Sequence, residues 1–184
     1  SGANLVVTFN ANASEAAVNQ LIKNITFENT DTDNPTTGAR TVRFVVVDGD
    51  GGAETSANYD TTVTVSAVND APAGADKTVT TFEDTNYVFT AADFGFTDTA
   101  EGDSFTAVKI TTIASTGTLT LTGTGAVIAG DTIALADITG GKLIFTPVAN
   151  ANGASYDSFT FQVQDDGGTA NSGVDLDASA NTMT

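Results

Sequence analysis

Phe159-Thr160-Phe161-Gln162-Val163-Gln164 alternates large apolar and polar side chains along its whole length. Successive side chains of a strand point to opposite faces, so this spacing puts Phe159, Phe161 and Val163 on one face and Thr160, Gln162 and Gln164 on the other. Thr118-Leu119-Thr120-Leu121-Thr122 and Thr62-Val63-Thr64-Val65-Ser66 have the same period, and the β-branch of threonine suits a pleated surface. Gly-rich clusters separate such runs: Asp48-Gly49-Asp50-Gly51-Gly52, Asn152-Gly153 and Asp165-Asp166-Gly167-Gly168. Each is a turn signal between half-buried strands. The reading is all-β, with antiparallel strands near 76–81, 86–90, 105–113, 117–122, 142–146, 158–164 and from 181 onward. One segment departs from it. Residues 12–24 place Val18, Leu21 and Ile22, with Ile25 beyond, on one helical face, and Asn12 or Ser14 can cap the start. A shorter helical turn is expected over 134–138.

Composition narrows the chemistry. The chain has 184 residues, with 23 acidic side chains against 6 basic ones, a net charge of −17, no Cys and no His. Without Cys there is no disulfide framework and no thiolate metal site. Without His the commonest general base and the usual transition-metal ligand are missing. A strongly negative chain is repelled by phosphate backbones and anionic bilayers, so neither nucleic acid nor membrane insertion is expected. No apolar run approaches the roughly 18 residues a membrane helix needs. Eleven Phe and three Tyr within patterned segments exclude a disordered acidic chain. What an acidic, histidine-free chain still binds well is a hard cation held by oxygens.

The sequence also repeats itself. Ile25-Thr26-Phe27 aligns with Leu143-Ile144-Phe145, Phe44-Val45-Val46-Val47-Asp48 with Phe161-Gln162-Val163-Gln164-Asp165, and Thr62-Val63-Thr64 with Thr182-Met183-Thr184. The offsets are close to one another, so one repeat is about 118 residues long. The boundary falls at Val68-Asn69-Asp70-Ala71-Pro72, where a proline and small residues interrupt the strand pattern. Residues 1–70 therefore read as the C-terminal part of one module, and 71–184 as a nearly complete second module lacking most of its last strand. The chain reads as a slice of a longer tandem array, with an open sheet edge in the first module.

Ala67-Val68-Asn69-Asp70-Ala71-Pro72, followed by Phe82-Glu83-Asp84-Thr85 and then Phe96-Thr97-Asp98-Thr99-Ala100-Glu101-Gly102-Asp103, resembles the cadherin-like tandem modules of giant bacterial RTX adhesins. Ile138-Thr139-Gly140-Gly141-Lys142-Leu143-Ile144-Phe145 and Tyr156-Asp157-Ser158-Phe159-Thr160-Phe161, ending at Asp165, are similar to chondroitin sulfate proteoglycan-type repeats. The resemblance covers nearly the whole chain. It implies tandem Ig/cadherin-like antiparallel β-sandwich modules, here with one short helix in the first, calcium at the junctions, and a role as an extracellular spacer.

Calcium takes about six to eight oxygen ligands, so several carboxylates must converge from different loops. In a seven-strand sandwich the loops after the second and sixth strands lie at the end where the linker enters. That arrangement brings Asp98, Glu101 and Asp103 and the pair Asp165 and Asp166 toward Asn69 and Asp70. Asp48 and Asp50, in the sixth-strand loop of the first module, would serve the preceding junction, and Glu83 with Asp84 the following one. The resemblance assigns Asn69 and Asp70 to the linker pair, Glu83 to an early Glu, and Asp98 and Asp103 to an Asp-x-Asp loop. Ala100 stands where a further Asp is common, which leaves either Glu101 as a substitute or the site one ligand short. Plain hairpin turns explain Asp48-Gly49-Asp50-Gly51 and Asp165-Asp166-Gly167 equally well, since Asp caps its own turn and Gly supplies positive φ. No EF-hand spacing is present.

Acids on Gly-rich turns read as solvated, which argues against a glycosidase acid–base couple, and no nucleophilic or phosphate-cradling constellation occurs. An enzyme is not expected. The expected role is a calcium-stabilised extender repeat of a secreted or surface-bound bacterial adhesin, with a place in cell adhesion and biofilm. Its expected partners are neighbouring modules of the same or another chain, and a cell-surface glycan or protein target. Two other readings are open: a glycan- or peptide-binding module, with Tyr59 and Tyr156 as stacking residues, and a filament subunit assembling by β-strand complementation.

Overall fold

A computed structural model describes residues 5–10, 12–31, 34–47 and 55–184. Asp48 and Asp50 lie outside the described residues. The chain divides into two compact units, Ser1–Val65 and Ser66–Thr184.

In the first unit, helix α1 spans Glu15–Asn24, and Ser14 is its cap: the Ser14 hydroxyl accepts from the Ala17 N–H at 3.3 Å. Strands β1 (Gly38–Phe44) and β2 (Tyr59–Val65) pair antiparallel from Gly38↔Val65 to Phe44↔Tyr59. Arg43 grips Asp60 across the pair with both guanidinium arms, at 2.7 and 2.8 Å. This contact lowers the Asp60 pKa, chiefly through the Arg43 hydrogen bonds. No residue of α1 is buried, and Leu5, Val6 and Tyr59 are largely exposed.

The second unit is an antiparallel sandwich. One sheet has the order β10-β9-β4-β7, built from Asn181–Met183, Phe159–Gln164, Ala107–Thr112 and Thr132–Ala134. The other has the order β3-β8-β5-β6, from Tyr87–Val88, Leu143–Thr146, Thr118–Leu121 and Gly125–Ala126. Helix α2, Leu135–Thr139, joins β7 to the turn before β8. Between the sheets lie Val108 and Ile110 from β4, Phe159, Phe161 and Val163 from β9, Leu119 from β5 and Leu143 from β8. Phe94, on a 3-10 turn over Ala91–Phe94, plugs the same core and meets Phe161 edge-on at 5.0 Å. The alternation in β9 is as the sequence predicts, with Phe159, Phe161 and Val163 buried.

Two differences have simple causes. β6 and β7 escape the periodicity because two or three residues are too short to display it; they are strands only through pairing with β5 and β4. The expected strand over 76–81 is reduced to a parallel contact with β10, in which Lys77 N–H donates to Thr182 O and Val79 N–H to Thr184 O.

Candidate metal centre

The segment that leads into the second unit is tied down on both sides. Asn69 O accepts from Val174 N–H at 2.9 Å, while its amide Nδ2 donates to Val174 O at 2.8 Å, Asp165 Oδ1 at 3.1 Å and Gly168 O at 3.2 Å. Asp70 N–H reaches Glu101 Oε2 at 3.4 Å. Ala73 and Thr97 then exchange backbone bonds, both at 2.8 Å, which seats the segment beside the loop that follows.

That loop is shaped by its own first acid. The Asp98 carboxylate accepts from Gly102 N–H at 3.4 Å and Asp103 N–H at 3.2 Å, with Gly102 at φ 77°. A left-handed residue costs little when it is glycine, so the loop closes tightly on Asp98. As a result Asp98, Glu101 and Asp103 each bring a carboxylate oxygen within 4.8 Å of the others, all three half-buried.

The loop after β9 approaches from the other side. Asp165 continues the inward register of Phe161 and Val163 and is only 4% exposed, which corrects its reading as a solvated turn residue. Asp166 is on the opposite parity, exposed, and accepts from Ser104 N–H at 2.6 Å. Gly167 completes the concavity: a Cβ there would run into Asn69 Oδ1 and Asp103 Oδ2. The sequence gives no sign of this packing role, because the turn reading already accounts for Gly167 and Gly168 alike.

Three buried oxygens here have no hydrogen-bond partner among the described residues: Asn69 Oδ1, Glu101 Oε1 and Asp165 Oδ2. An unpaired buried acceptor costs on the order of 1–3 kcal/mol, more when charged. Burial raises the Asp165 pKa, the Gly167 and Asn69 donors oppose that, and the charges of Asp103 and Asp98 add to it. Glu101 is raised chiefly by burial as well, against the Asp70 N–H and with the charges of Asp70 and Asp98. Asp157 shows the contrary case. Burial pushes it up, but N–H groups of Ser115, Gly117, Thr116 and Ser158 outweigh this and hold it below the ordinary carboxylate range. Its oxygens are engaged by backbone donors, whereas those of Asp165 and Glu101 are partly unmet.

This difference sets a pH dependence. With Asp165 and Glu101 raised, the folded chain takes up protons before the unfolded one, so in the absence of cation stability falls as pH rises through their elevated values. In excess EGTA, the Tm of the second unit is expected to rise as pH is lowered from 7 toward the ordinary carboxylate range, and Asp165→Asn should flatten that slope. Thermal unfolding by circular dichroism at stepped pH measures both.

The oxygen set fits a hard dication. The Asp98, Glu101 and Asp103 oxygens lie within 4.8 Å of one another, no farther apart than two ligands on opposite sides of one calcium ion, and the unpaired oxygens of Asn69 and Asp165 belong to residues bonded to each other beside them. Glu83 stands elsewhere: it accepts from Asn152 Nδ2 at 3.1 Å, beside Asp84, which accepts from Asn150 N–H at 2.8 Å. Tyr156 packs edge-on against Phe145 at 6.4 Å, and its hydroxyl accepts from Val148 N–H, while Tyr59 lies against Phe44 on the first unit's strand pair.

No curated protein and no solved structure gives a significant match to the chain. The family model described as the bacterial Ig domain matches residues 69–177, a span that opens at Asn69 and includes every acid of the concavity. Domains of this family are usually extracellular or surface-exposed, and typically structural rather than enzymatic. No helix among the described residues is long and apolar enough to cross a membrane. With two antiparallel sheets packed face to face and more than half of its length matched, the chain belongs to the bacterial Ig domain family.

Proposed function

We propose that this chain is a calcium-stabilised spacer repeat of a bacterial surface adhesin. The ion is held by Asp98, Glu101 and Asp103 together with the oxygens of Asn69, Asp70 and Asp165, and Asp166 stands at the rim. The observation that carries this reading is the set of buried oxygens without donors at Asn69, Glu101 and Asp165. In a folded protein nearly all such atoms find a partner, and a cation supplies one to all three at once.

The mechanism is electrostatic. Without cation the carboxylates of two loops repel across the concavity, and the segment at Asn69 and Asp70 is held by its hydrogen bonds to Val174, Gly168, Asp165 and Glu101. With cation, the incoming segment and both loops share one ion, which stiffens the linker between modules and lets a tandem array extend a binding region from the cell surface. Binding to the folded form alone stabilises it by about 2.7 kcal/mol at a hundredfold excess over Kd.

Isothermal titration of the chelator-treated chain tests this. Calcium should bind with a saturable signal and magnesium far more weakly, because magnesium demands a compact octahedron and sheds water reluctantly. Asp103→Asn should weaken calcium at least about tenfold, the loss of one charged ligand. A chain that takes up no calcium at millimolar concentration refutes the reading.

A further inference from the structure

Asn152-Gly153 is the single Asn-Gly pair in the sequence, and it stands in the loop between β8 and β9. Both residues are exposed, and positions 151–153 belong to no helix or strand. Gly153 has φ 150°, a backbone that side-chain-bearing residues rarely adopt, and nothing lies within 4 Å of the place its Cβ would take. Its N–H donates no hydrogen bond among the described residues. The Gly153 nitrogen is therefore unheld and unhindered beside the carboxamide carbon of Asn152.

Neighbouring asparagines are blocked at the same point. Ala151 N–H, which follows Asn150, donates to Val148 O at 3.1 Å, and Thr182 N–H, which follows Asn181, donates to Asp76 Oδ1 at 2.6 Å. Asn171 is followed by Ser172, whose side chain crowds the nitrogen. The Asn152 carboxamide also holds the loop in place. Its Nδ2 donates to Glu83 Oε2 at 3.1 Å, while Asn150 N–H donates to Asp84 Oδ1 at 2.8 Å. Turning that amide into a carboxylate removes the donor and sets a like charge against Glu83, so attraction becomes repulsion.

We propose that Asn152-Gly153 is a site of spontaneous covalent modification, where the folded chain converts Asn152 to aspartate and isoaspartate and so releases the loop from Glu83. The Gly153 nitrogen gives its proton to solvent and bonds to Asn152 Cγ. The Cγ–Nδ2 bond breaks, and ammonia leaves with a proton taken from water. Water then opens the cyclic imide. Cleavage between Gly153 N and Cγ yields aspartate; cleavage between Gly153 N and the Asn152 carbonyl carbon yields isoaspartate and a longer main chain. Water is the one co-reactant, nothing is oxidised or reduced, and no residue of the acidic concavity takes part.

Peptide mapping by mass spectrometry, on the full chain held at mildly alkaline pH and sampled over time, measures conversion at each asparagine. Enzymatic methylation of isoaspartate measures the rearranged product. Asn152 should convert at least about tenfold faster than Asn150 and Asn171 in the same molecules, and Gly153→Ala should slow it by a similar factor. Asn152 left intact while Asn171 converts overturns the proposal. So does conversion at least about tenfold faster in urea than in buffer, because the fold would then be shielding the pair. In the Asn152→Asp chain, exchange at the Asn150 amide should speed up at least about threefold as the loop leaves Glu83. An unchanged rate there contradicts the release.

Discussion

Gly167→Ala is expected to abolish the calcium response of the chain while leaving its sheets intact. The added methyl would occupy the space now held by Asn69 Oδ1 and Asp103 Oδ2, so one or both must swing away from the concavity. Overpacking of this kind costs roughly 1–3 kcal/mol, which lowers Tm by several degrees even in EGTA. The larger effect is on the increment added by calcium, which should fall to near zero because the methyl intrudes on two of the ligand oxygens. Gly168→Ala is the control. Gly168 has φ 78° and nothing within 4 Å of an added Cβ, so alanine there brings backbone strain of roughly 1–2 kcal/mol without filling the site. That variant should start from a lower Tm and still gain the full calcium increment. Paired melts in EGTA and in calcium separate the two.

Phe161→Ala is expected to be the most destabilising single substitution in the second unit. Phe161 is fully buried and meets Phe94 edge-on at 5.0 Å and Phe159 at 6.4 Å, so removing its ring opens a void that both sheets border. Phe→Ala changes in such cores cost roughly 3–5 kcal/mol, a large share of the 5–15 kcal/mol that holds a typical domain folded. For a unit of this size that is a fall in Tm on the order of 15 °C. Tyr59→Ala, at a side chain 69% exposed in the first unit, should change stability by only about 0.5 kcal/mol. Urea unfolding followed by circular dichroism measures both, and an unchanged slope would confirm that each acts on stability rather than on the unfolded state.

Much of this fold is legible because its information is local. The alternation at Phe159–Gln164 gives both the strand and its buried face, and Ser14 before an apolar helical pattern gives the start of α1. The acidic residues are harder, since Asp165 and Asp166 are neighbours with opposite fates. Their parity separates them once β9 is extended by one residue: Asp165 follows Phe161 and Val163 inward, and Asp166 turns out to Ser104. What is not legible depends on distant contacts. Gly167 is critical only because Asn69 and Asp103 come to it from other parts of the chain, and β7 is a strand only because β4 lies beside it. Asp157 carries the same lesson. Nothing in its local sequence marks it, yet its four backbone donors make it a structural fastening between the turn before β5 and the start of β9.

On the proposed function, calcium completes the concavity at Asn69, Asp98, Glu101, Asp103 and Asp165. The most direct measurement is thermal unfolding in excess EGTA and again in millimolar calcium, on this chain and on Asp98→Ala/Asp103→Ala. A rise on the order of 10 °C with calcium is expected for the unaltered chain, and little or none for the double variant. A Tm that does not move with calcium in the unaltered chain, or that moves equally in the variant, would contradict it.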